Sequence, residues 1–302
     1  GQTMWHQVGR GETIRGTLQL GESAEIARAV GVDVVDQFRV MDVALGGQGA
    51  PLTSIFDYLT VKRAPDSVII HNNIGGMSNG TLLPPLYEQD GESKLISFDT
   101  GPGNIMIDEA VVYMSGGERR FDENGEQASR GTCCEALLAE ILDHPYFRES
   151  IPKTTGREQF GTKHVHHWVQ RGRETYGLSD DDIVCTLTHV TSRSIVMAYQ
   201  QALSLKYGSN APRISTITIT GGGCHNKYLL QILEQEARTV FADDRVVVES
   251  GADDSSYADA KEGLLFALLA YLFMKRRNGN ICHVTGSTNH CVLGKLTPFQ
   301  LF

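Results

Sequence analysis

Asp99 is the acidic residue whose surroundings best suit acid–base chemistry. The apolar pair Leu95-Ile96 leads to it, and a turn with two glycines, Gly101-Pro102-Gly103, follows it. This pattern predicts a carboxylate at the end of a buried strand, beside a bend with room for a phosphate or a sugar. Asp99 could then be a general base that removes a proton from water or a sugar hydroxyl. It could also accept backbone N–H bonds from its own turn, and the local sequence alone favours this second interpretation.

Two further glycine-rich bends follow predicted strands, at Ile74-Gly75-Gly76 and at Gly221-Gly222-Gly223. Backbone N–H groups in such a bend can converge on an anion, and a helix that begins there adds its dipole. The three bends together favour a nucleotide phosphate and a second ligand. None is a P-loop, because no Gly-Lys-Ser/Thr follows, and Gly101-Pro102-Gly103 does not fit the dinucleotide pattern Gly-x-Gly-x-x-Gly.

Arg39 and Asp42 lie three residues apart, and they could form a surface ion pair or a clamp for a substrate carboxylate. The segment Gly46-Gly47-Gln48-Gly49-Ala50-Pro51-Leu52 contains too much glycine for a helix. It predicts either a loop whose backbone closely approaches a ligand or an interdomain hinge. Glu262 precedes the apolar face of a predicted helix, which suits either a helix-start residue or an acid that reaches into a cleft.

Neither the histidines nor the cysteines predict a metal site. His164, His166 and His167 cluster in sequence, but no Cys or acid stands at ligand spacing, so we expect them in solvent. The six cysteines include no Cys-x-x-Cys pair, which is typical of free thiols in a reducing compartment. Cys224 has no apparent triad and is interpreted as a packing residue.

The composition restricts the class of protein. Hydrophobic residues make up 41% of the 302, enough for a substantial core, and the net charge of −9 argues against a nucleic-acid partner. The apolar run over 263–274 is too short to span a bilayer, and no signal-peptide pattern is visible. We therefore expect a cytoplasmic protein without a membrane partner.

Hydrophobic periodicity predicts an α/β protein. Strands alternate with helices, and the 146–167 stretch is predicted to be an irregular loop. Ser179 with Asp182, and Thr132 with Glu135, have the spacing of capping boxes at helix starts. The main predicted elements are a hairpin over 67–83, strands over 214–220 and 245–249, and helices over 105–114, 227–237 and 259–274.

These stretches, taken in order, resemble the anhydro-N-acetylmuramic acid kinase family. The agreement runs across nearly the whole chain, and its longest motifs, at 46–52 and 98–104, are specific. The matching segments are Gly1-Gln2-Thr3, Asp36-Gln37-Phe38-Arg39 with Asp42, Gly46 to Leu52, Asn73-Ile74-Gly75-Gly76, Phe98 to Asn104, Thr155-Gly156-Arg157-Glu158, Gly221-Gly222-Gly223 with Asn226, Asp259 to Ala270, and Val284-Thr285-Gly286.

The resemblance implies an actin-like ATPase fold (ribonuclease H-like) with two lobes and a cleft. It assigns residues 1–45 to a remnant of the N-terminal lobe. Residues 46–302 would be the C-terminal lobe, with the catalytic Asp and the nucleotide loops, and its last helix region would contact the first lobe. The family's first phosphate loop, a Gly-Thr-Ser…Asp-Gly segment, has no match here. We therefore expect an N-terminally truncated chain with an incomplete first lobe.

The resemblance also implies a reaction that uses ATP and Mg²⁺. Water opens the 1,6-anhydro ring of anhydro-N-acetylmuramic acid and O6 takes the γ-phosphoryl group, which gives N-acetylmuramic acid 6-phosphate. By the family's pattern Asp99 is the catalytic base, in place of the turn cap that the local sequence favours. The residues expected to bind the sugar are Arg39, Asp42, Gln48 and Glu262. Those expected to bind the nucleotide are Asn73, Gly75, Gly76, Thr100, Gly101, Gly103, Asn104, Gly221, Gly222, Gly223 and Asn226.

Two other functions stay open at this point. One is a non-catalytic sugar- or nucleotide-binding relative, which the missing phosphate loop favours. The other is a glycoside hydrolase without ATP, which would need two acids around one bond, whereas only Asp99 has a persuasive setting. A homodimer is a reasonable expectation from the resemblance.

Overall fold

The computed structural model describes residues 2–8, 14–251 and 255–299, without the side chains of Gln2 and of residues 255–259. Gly1, the first residue of the matching segments, lies outside this range. The strands are β1 (Gln2–Gln7), β2 (Gly16–Leu20), β3 (Val34–Asp36), β4 (Val68–Ile74), β5 (Met77–Leu83), β6 (Ile96–Pro102), β7 (Ile214–Thr220), β8 (Val247–Ser250) and β9 (Lys295–Thr297).

The helices are of very different lengths, from single turns to 28 residues. They are α1 (Ser23–Val30), α2 (Val40–Ala44), α3 (Thr53–Thr60), α4 (Gly91–Lys94), α5 (Ile105–Met114), α6 (Glu126–Arg130), α7 (Glu135–Leu142), α8 (Arg157–Phe160), α9 (Thr162–Tyr176), α10 (Asp180–Tyr207), α11 (Lys227–Phe241), α12 (Ser255–Met274) and α13 (Cys282–Thr285). No helix in the described ranges is both long and apolar enough to cross a membrane.

The chain forms two compact units, one of residues 1–61 with 259–302 and one of residues 62–258. The first unit contains two small antiparallel sheets, β1-β2 and β3-β9. The second contains a mixed five-stranded sheet in the order β6-β5-β4-β7-β8. These units are defined by contacts within the chain. The two lobes expected from the family resemblance, residues 1–45 and 46–302, are a different division and stay a prediction.

The central sheet confirms the predicted α/β class. Residues 67–83 form the predicted hairpin, because β4 and β5 pair in antiparallel register around Gly75-Gly76. β6 extends the hairpin in antiparallel register, and β7 joins β4 on the other side in parallel, followed by β8. β6 is therefore an edge strand, which leaves one side of its backbone for other partners.

Helix α10 organises the second unit. It begins with the predicted capping box, in which Ser179 and Asp182 bond each other's backbone. Ile195 and Tyr199 of this helix are fully buried in the cluster that covers the sheet, whereas Ile183 and Leu187 are buried in the cluster with α5, α7 and α9. One helix thus contributes to both hydrophobic cores and fixes the elements around them.

A polar cluster joins α10 to α11. The carboxylate of Glu236 on α11 accepts a hydrogen bond from Ser192 Oγ at 2.8 Å and pairs with Arg193 at 3.2 Å and His189 at 3.3 Å. Burial lowers the pKa of His189, but hydrogen bonds and charge interactions with Cys185 and Glu236 raise it overall to about 9. The imidazole is therefore charged at neutral pH and helps to hold the two helices together.

Two local predictions from the sequence were wrong. The 146–167 stretch is not all loop, because α8 and α9 begin at Arg157 and Thr162. Val165 and Val169 are fully buried four residues apart, but the histidines between them conceal this helical spacing in the sequence. Thr132 does not cap α7, whose N-cap is Cys134. The Thr132 N–H instead donates to Asp182 Oδ1 at 2.7 Å, which ties this residue to the start of α10.

Candidate active site

The sequence predicted that Asp99 lies at the end of a strand. In the structure it lies in the middle of β6. Its strand partner is Asn79, and the next paired residues are Gly101 and Ser78, so the register shifts and Thr100 is an extra residue. Such a bulge bends the strand and redirects neighbouring side chains, and bulges are frequent beside active sites. Gly101 lies within the strand, where it adopts φ +147°, a value that L side chains rarely adopt.

The carboxylate of Asp99 does not cap its own turn among the described residues. Its Oδ2 accepts the Thr155 N–H at 2.9 Å, from a segment 56 residues further along the chain. The backbone of Asp99 is also bound there: its N–H donates to Lys153 O at 3.0 Å, and its carbonyl accepts from Tyr146 Oη at 2.5 Å. A carboxylate that is held from outside its own turn has a fixed orientation, as a general base requires.

Burial raises the pKa of Asp99 to about 6, although the Thr155 N–H stabilises the ionised form and lowers the pKa. With a pKa of about 6, roughly nine carboxyl groups in ten are ionised at pH 7. The same shift makes the carboxylate a stronger base than one in water. Both properties suit proton abstraction near neutral pH.

The three glycine bends meet in the second unit. A Cβ added to Gly103 would lie 2.4 Å from the Gly75 carbonyl oxygen, and one added to Gly221 would lie 2.8 Å from the Ile74 carbonyl oxygen. The Asn104 side chain also donates to Ile74 O, at 3.3 Å. The 74–76, 101–104 and 221–223 bends are therefore packed against one another, and glycine is required where their backbones touch.

The first N–H groups of α5 are already engaged within this cluster. Gly103 and Ile105 donate to Gly76 O at 3.0 and 3.1 Å, and Asn104 donates to Gly75 O at 2.8 Å. N–H groups in such bends can point towards an anion, but these three bond to carbonyl groups of the neighbouring bend. Open space remains at Gly76, which has no atom within 4 Å of a Cβ position, whereas a Cβ at the exposed Gly222 would lie 3.3 Å from Asn104 Nδ2.

Three predicted nucleotide contacts differ in their accessibility. Asn73 is exposed beside the bends. Thr100 is fully buried and donates to Ser78 Oγ at 2.7 Å, so its side chain has no surface for a ligand. Asn226 caps α11, because its Oδ1 accepts the Leu229 N–H at 2.9 Å. The side chains of Thr100 and Asn226 thus serve the fold, and a nucleotide contact by Asn226 stays a prediction.

In the first unit, Asp42 is a structural carboxylate. It is fully buried, and it accepts hydrogen bonds from Gly49 N at 2.7 Å, Asn280 Nδ2 at 2.8 Å and Thr285 Oγ1 at 2.6 Å. The predicted contact of Asp42 with a sugar therefore has no support in this conformation. Three donors instead make it the anchor that joins the glycine loop to the C-terminal residues.

The loop over 46–49 is held on both sides of its backbone. Arg15 donates to the carbonyls of Gly46 and Gly47 at 2.8 and 2.9 Å, and Arg39 donates to Gly49 O at 2.6 Å. The loop N–H groups bond within the unit, including Gln48 N to Thr285 O at 2.7 Å. This bonding supports a fixed platform over a hinge, and it leaves the Gln48 side chain exposed.

Arg39, Gln48 and Glu262 are the predicted sugar contacts that reach the surface of this unit. Burial lowers the pKa of the Arg39 guanidinium, and the nearby Glu262 charge raises it. Arg39 does not pair with Asp42 in the described residues, because Arg39 binds the loop and Asp42 lies beneath it.

Several residues around these groups were missed by the sequence analysis. No motif used in the sequence analysis contains Tyr146, Lys153 or Arg15. Tyr146 and Arg15 contact residues at least 31 positions away, and Lys153 contacts a buried carbonyl group. Thr155 stands in the matching segment Thr155-Gly156-Arg157-Glu158, which was the one available signal for this region. Local spacing cannot show a contact of this kind, because the fold brings the partners together.

Comparison with known proteins agrees with this arrangement of motifs. The family model for anhydro-N-acetylmuramic acid kinase matches residues 1–299. Three proteins with that name are similar along nearly the whole chain. The one from Caldanaerobacter subterraneus subsp. tengcongensis is 38% identical over 98% of this chain and 72% of its own length. The one from a Cyanothece species is 40% identical over 99% and 75%, and the one from Francisella tularensis subsp. novicida is 35% identical over 99% and 73%. The chain therefore belongs to the anhydro-N-acetylmuramic acid kinase family.

Proposed function

We propose that this chain is an ATP-dependent kinase that hydrolyses the 1,6-anhydro ring of anhydro-N-acetylmuramic acid and phosphorylates O6. The observation that carries the proposal is Asp99, a held carboxylate with a pKa of about 6, in the strand that leads into one of three glycine bends packed against one another. Membership of the family supports the choice of sugar, since its members are named for it. The product is N-acetylmuramic acid 6-phosphate.

In this reaction Asp99 accepts a proton from the water that attacks C1. The bond from C1 to O6 breaks as the water oxygen bonds to C1. O6 then forms a bond to the γ-phosphorus of ATP, and ADP leaves. The Thr155 N–H keeps the Asp99 carboxylate aimed during the attack, and positioning of this kind supplies much of the rate in phosphoryl transfer.

ATP enters as a substrate together with Mg²⁺, and we assign the convergent bends to it. Gly76 has open space beside it for a phosphate group, and Gly222 and Asn73 are exposed. No group of three His, Cys, Asp or Glu residues forms a metal site in the described ranges. This fits Mg²⁺, which commonly binds through substrate phosphates, waters and one or two carboxylates.

We assign the sugar contacts to Arg39, Gln48 and Glu262. Arg39 presents a planar cation that suits the lactyl carboxylate of the sugar, and Gln48 can exchange hydrogen bonds with hydroxyl or amide groups. The hydrogen-bonded loop over 46–49 supports a fixed orientation for Gln48. Asp42 is assigned to holding this loop and not to the sugar.

The fold that we propose is the actin-like, two-lobed ATPase fold. The mixed sheet, in which an antiparallel group of strands is extended by two parallel strands, supports it, as do the two compact units of the chain. A cytoplasmic location and a homodimer remain predictions that accompany this proposal.

The mass of the product tests the proposed reaction. The 302-residue chain is incubated with the anhydro sugar, MgATP and buffer, and the sugar is analysed by mass spectrometry. A gain of both water and a phosphoryl group supports the kinase. A gain of water alone would identify a hydrolase, and an unchanged sugar would identify a non-catalytic binding relative.

A further inference from the structure

The segment over 146–155 covers the free side of β6 at Asp99. β6 is an edge strand, so only Asn79 pairs with Asp99 within the sheet. The 146–155 segment supplies the missing partners, because Lys153 O accepts the Asp99 N–H at 3.0 Å and Tyr146 Oη donates to the Asp99 carbonyl at 2.5 Å. The backbone N–H and the carbonyl group of Asp99 are thus both held by this one segment.

A buried ammonium group holds this segment in place. Lys153 is only 6% exposed, and its Nζ donates to Tyr146 O at 3.0 Å and to Phe147 O at 3.4 Å. The same Nζ lies 4.5 Å from the centre of the Tyr146 ring. Burial lowers the pKa of Lys153, whereas the charge of Glu149 raises it. Because an unpaired buried cation is costly, these contacts mark a specific anchor and not an incidental lysine.

The Tyr146 ring has little freedom to move. It is fully buried, and it packs edge-on against Phe147 and Phe160 with ring centres 5.6 and 5.5 Å away. The phenol oxygen is therefore held at one point, where it meets the Asp99 carbonyl. Its hydrogen bond is a second link, beside the bond from the Asp99 N–H to the Lys153 carbonyl, between the anchored segment and the strand that carries the base.

We propose that Tyr146 and Lys153 are positioning residues for Asp99, and that they act by clamping the 146–155 segment onto the edge of β6. For the kinase reaction the inference rests on the proposed function. Neither residue touches the Asp99 carboxylate. Thr155, two residues after Lys153, carries the effect to the carboxylate through its N–H. If the anchor is loosened, the Thr155 N–H moves, the carboxylate can rotate, and water reaches it.

Kinetics separate this role from substrate binding. Lys153→Met should lower kcat about tenfold and Tyr146→Phe about threefold, since one or two hydrogen bonds are lost, with KM changed less than twofold. Lys94→Met is a matched control, because Lys94 Nζ donates to the Lys206 carbonyl at 3.1 Å and lies 5.1 Å from the centre of the Tyr207 ring. It should leave kcat unchanged. An unchanged kcat in both test variants would overturn the proposal.

A second measurement does not depend on activity. The ¹³C resonance of the Asp99 carboxyl group, identified by its absence in Asp99→Asn, is titrated in the ligand-free protein. Burial raises this pKa and the Thr155 N–H lowers it, so a loosened segment that admits water and displaces this N–H should move the midpoint away from about 6. An unchanged midpoint in both Lys153→Met and Tyr146→Phe would overturn the clamp.

The kinetics and the carboxyl titration distinguish a failure of the proposed kinase function from a failure of the proposed clamp. If the unaltered chain makes no phosphorylated sugar, the proposed function fails and the carboxyl titration still decides the clamp. If the chain is active and the midpoint does not move, the clamp alone fails. Tyr146→Phe removes a single oxygen and keeps the ring packing, so it carries the test if Lys153→Met does not fold.

Discussion

Replacement of Asp99 by Asn should stabilise the protein above pH 6. Burial raises the pKa of this carboxyl from 3.8 to about 6, so the folded state binds its proton more tightly than the unfolded state does. The contribution of the group to stability is therefore greatest when it is protonated, and it is lost as the pH rises from about 4 to about 6. An asparagine is neutral throughout this range and avoids that loss.

The expected gain follows from the difference between the two pKa values. A shift of one pKa unit corresponds to about 1.4 kcal/mol, so a rise from 3.8 to about 6 gives Asp99→Asn as much as about 3 kcal/mol of additional unfolding free energy. The amide oxygen of asparagine can still accept the Thr155 N–H, and the side chain has nearly the same volume. The estimate is an upper limit because the new amide N–H₂ group also needs a partner.

Urea denaturation at pH 4, 6 and 8 measures this gain. We expect the two proteins to be nearly equal at pH 4, to diverge towards pH 6 and to differ by a constant amount above it. Asp243→Asn is a control of opposite sign, because hydrogen bonds from Arg245 lower the pKa of Asp243 to about 2. That variant should be less stable than the unaltered chain at neutral pH. If Asp99→Asn is destabilised at pH 8, or if its effect is the same at all three pH values, the explanation of the raised pKa is wrong.

Three further predictions, on four variants, test other parts of the structure by thermal or urea unfolding. Asp42→Ala should cost about 2–5 kcal/mol, since it leaves three buried donors without their acceptor, whereas normal stability with a raised KM would assign Asp42 to the sugar. Gly103→Ala should cost about 1–3 kcal/mol because its Cβ would meet a backbone oxygen at 2.4 Å, and Gly76→Ala, with open space, should cost much less; equal costs would contradict the packing of the bends. Burial lowers the pKa of His189, but the neighbouring thiol and carboxylate raise it overall to about 9. Its contribution to stability should be complete below pH 6.5 and lost as the pH rises through 9, so the difference between the unaltered chain and His189→Gln should shrink over that range. A constant difference would mean that the imidazole charge does not hold the helices together.

The sequence predicted the elements whose local pattern is strong. The alternation of Ile and Thr in β7 gave the bounds Ile214–Thr220, and the apolar spacing of α5 gave Ile105–Met114, as the structure has them. Ser179 and Asp182 predicted their capping box because that motif is complete within four residues. In each of these cases the physical cause lies within a few residues along the chain.

Predictions that depended on distant partners were less successful. The position of Asp99 within β6 depends on its register with β5, and that register places Gly101 and Pro102 in the strand. The resemblance assigned Asp42 to the sugar, and the sequence does not show that Asn280 and Thr285 will surround its carboxylate. Lys153 gave no signal at all, since its role depends on carbonyl groups that the fold places around it.

The central claim is that Asp99 is the base that activates water in a coupled hydrolysis and phosphoryl transfer. The most direct test compares the unaltered chain with Asp99→Asn, both supplied with anhydro-N-acetylmuramic acid and MgATP, by the rate of formation of N-acetylmuramic acid 6-phosphate. We predict that this rate falls at least about 100-fold in Asp99→Asn while the variant stays folded. An unchanged rate would contradict the assignment of the base.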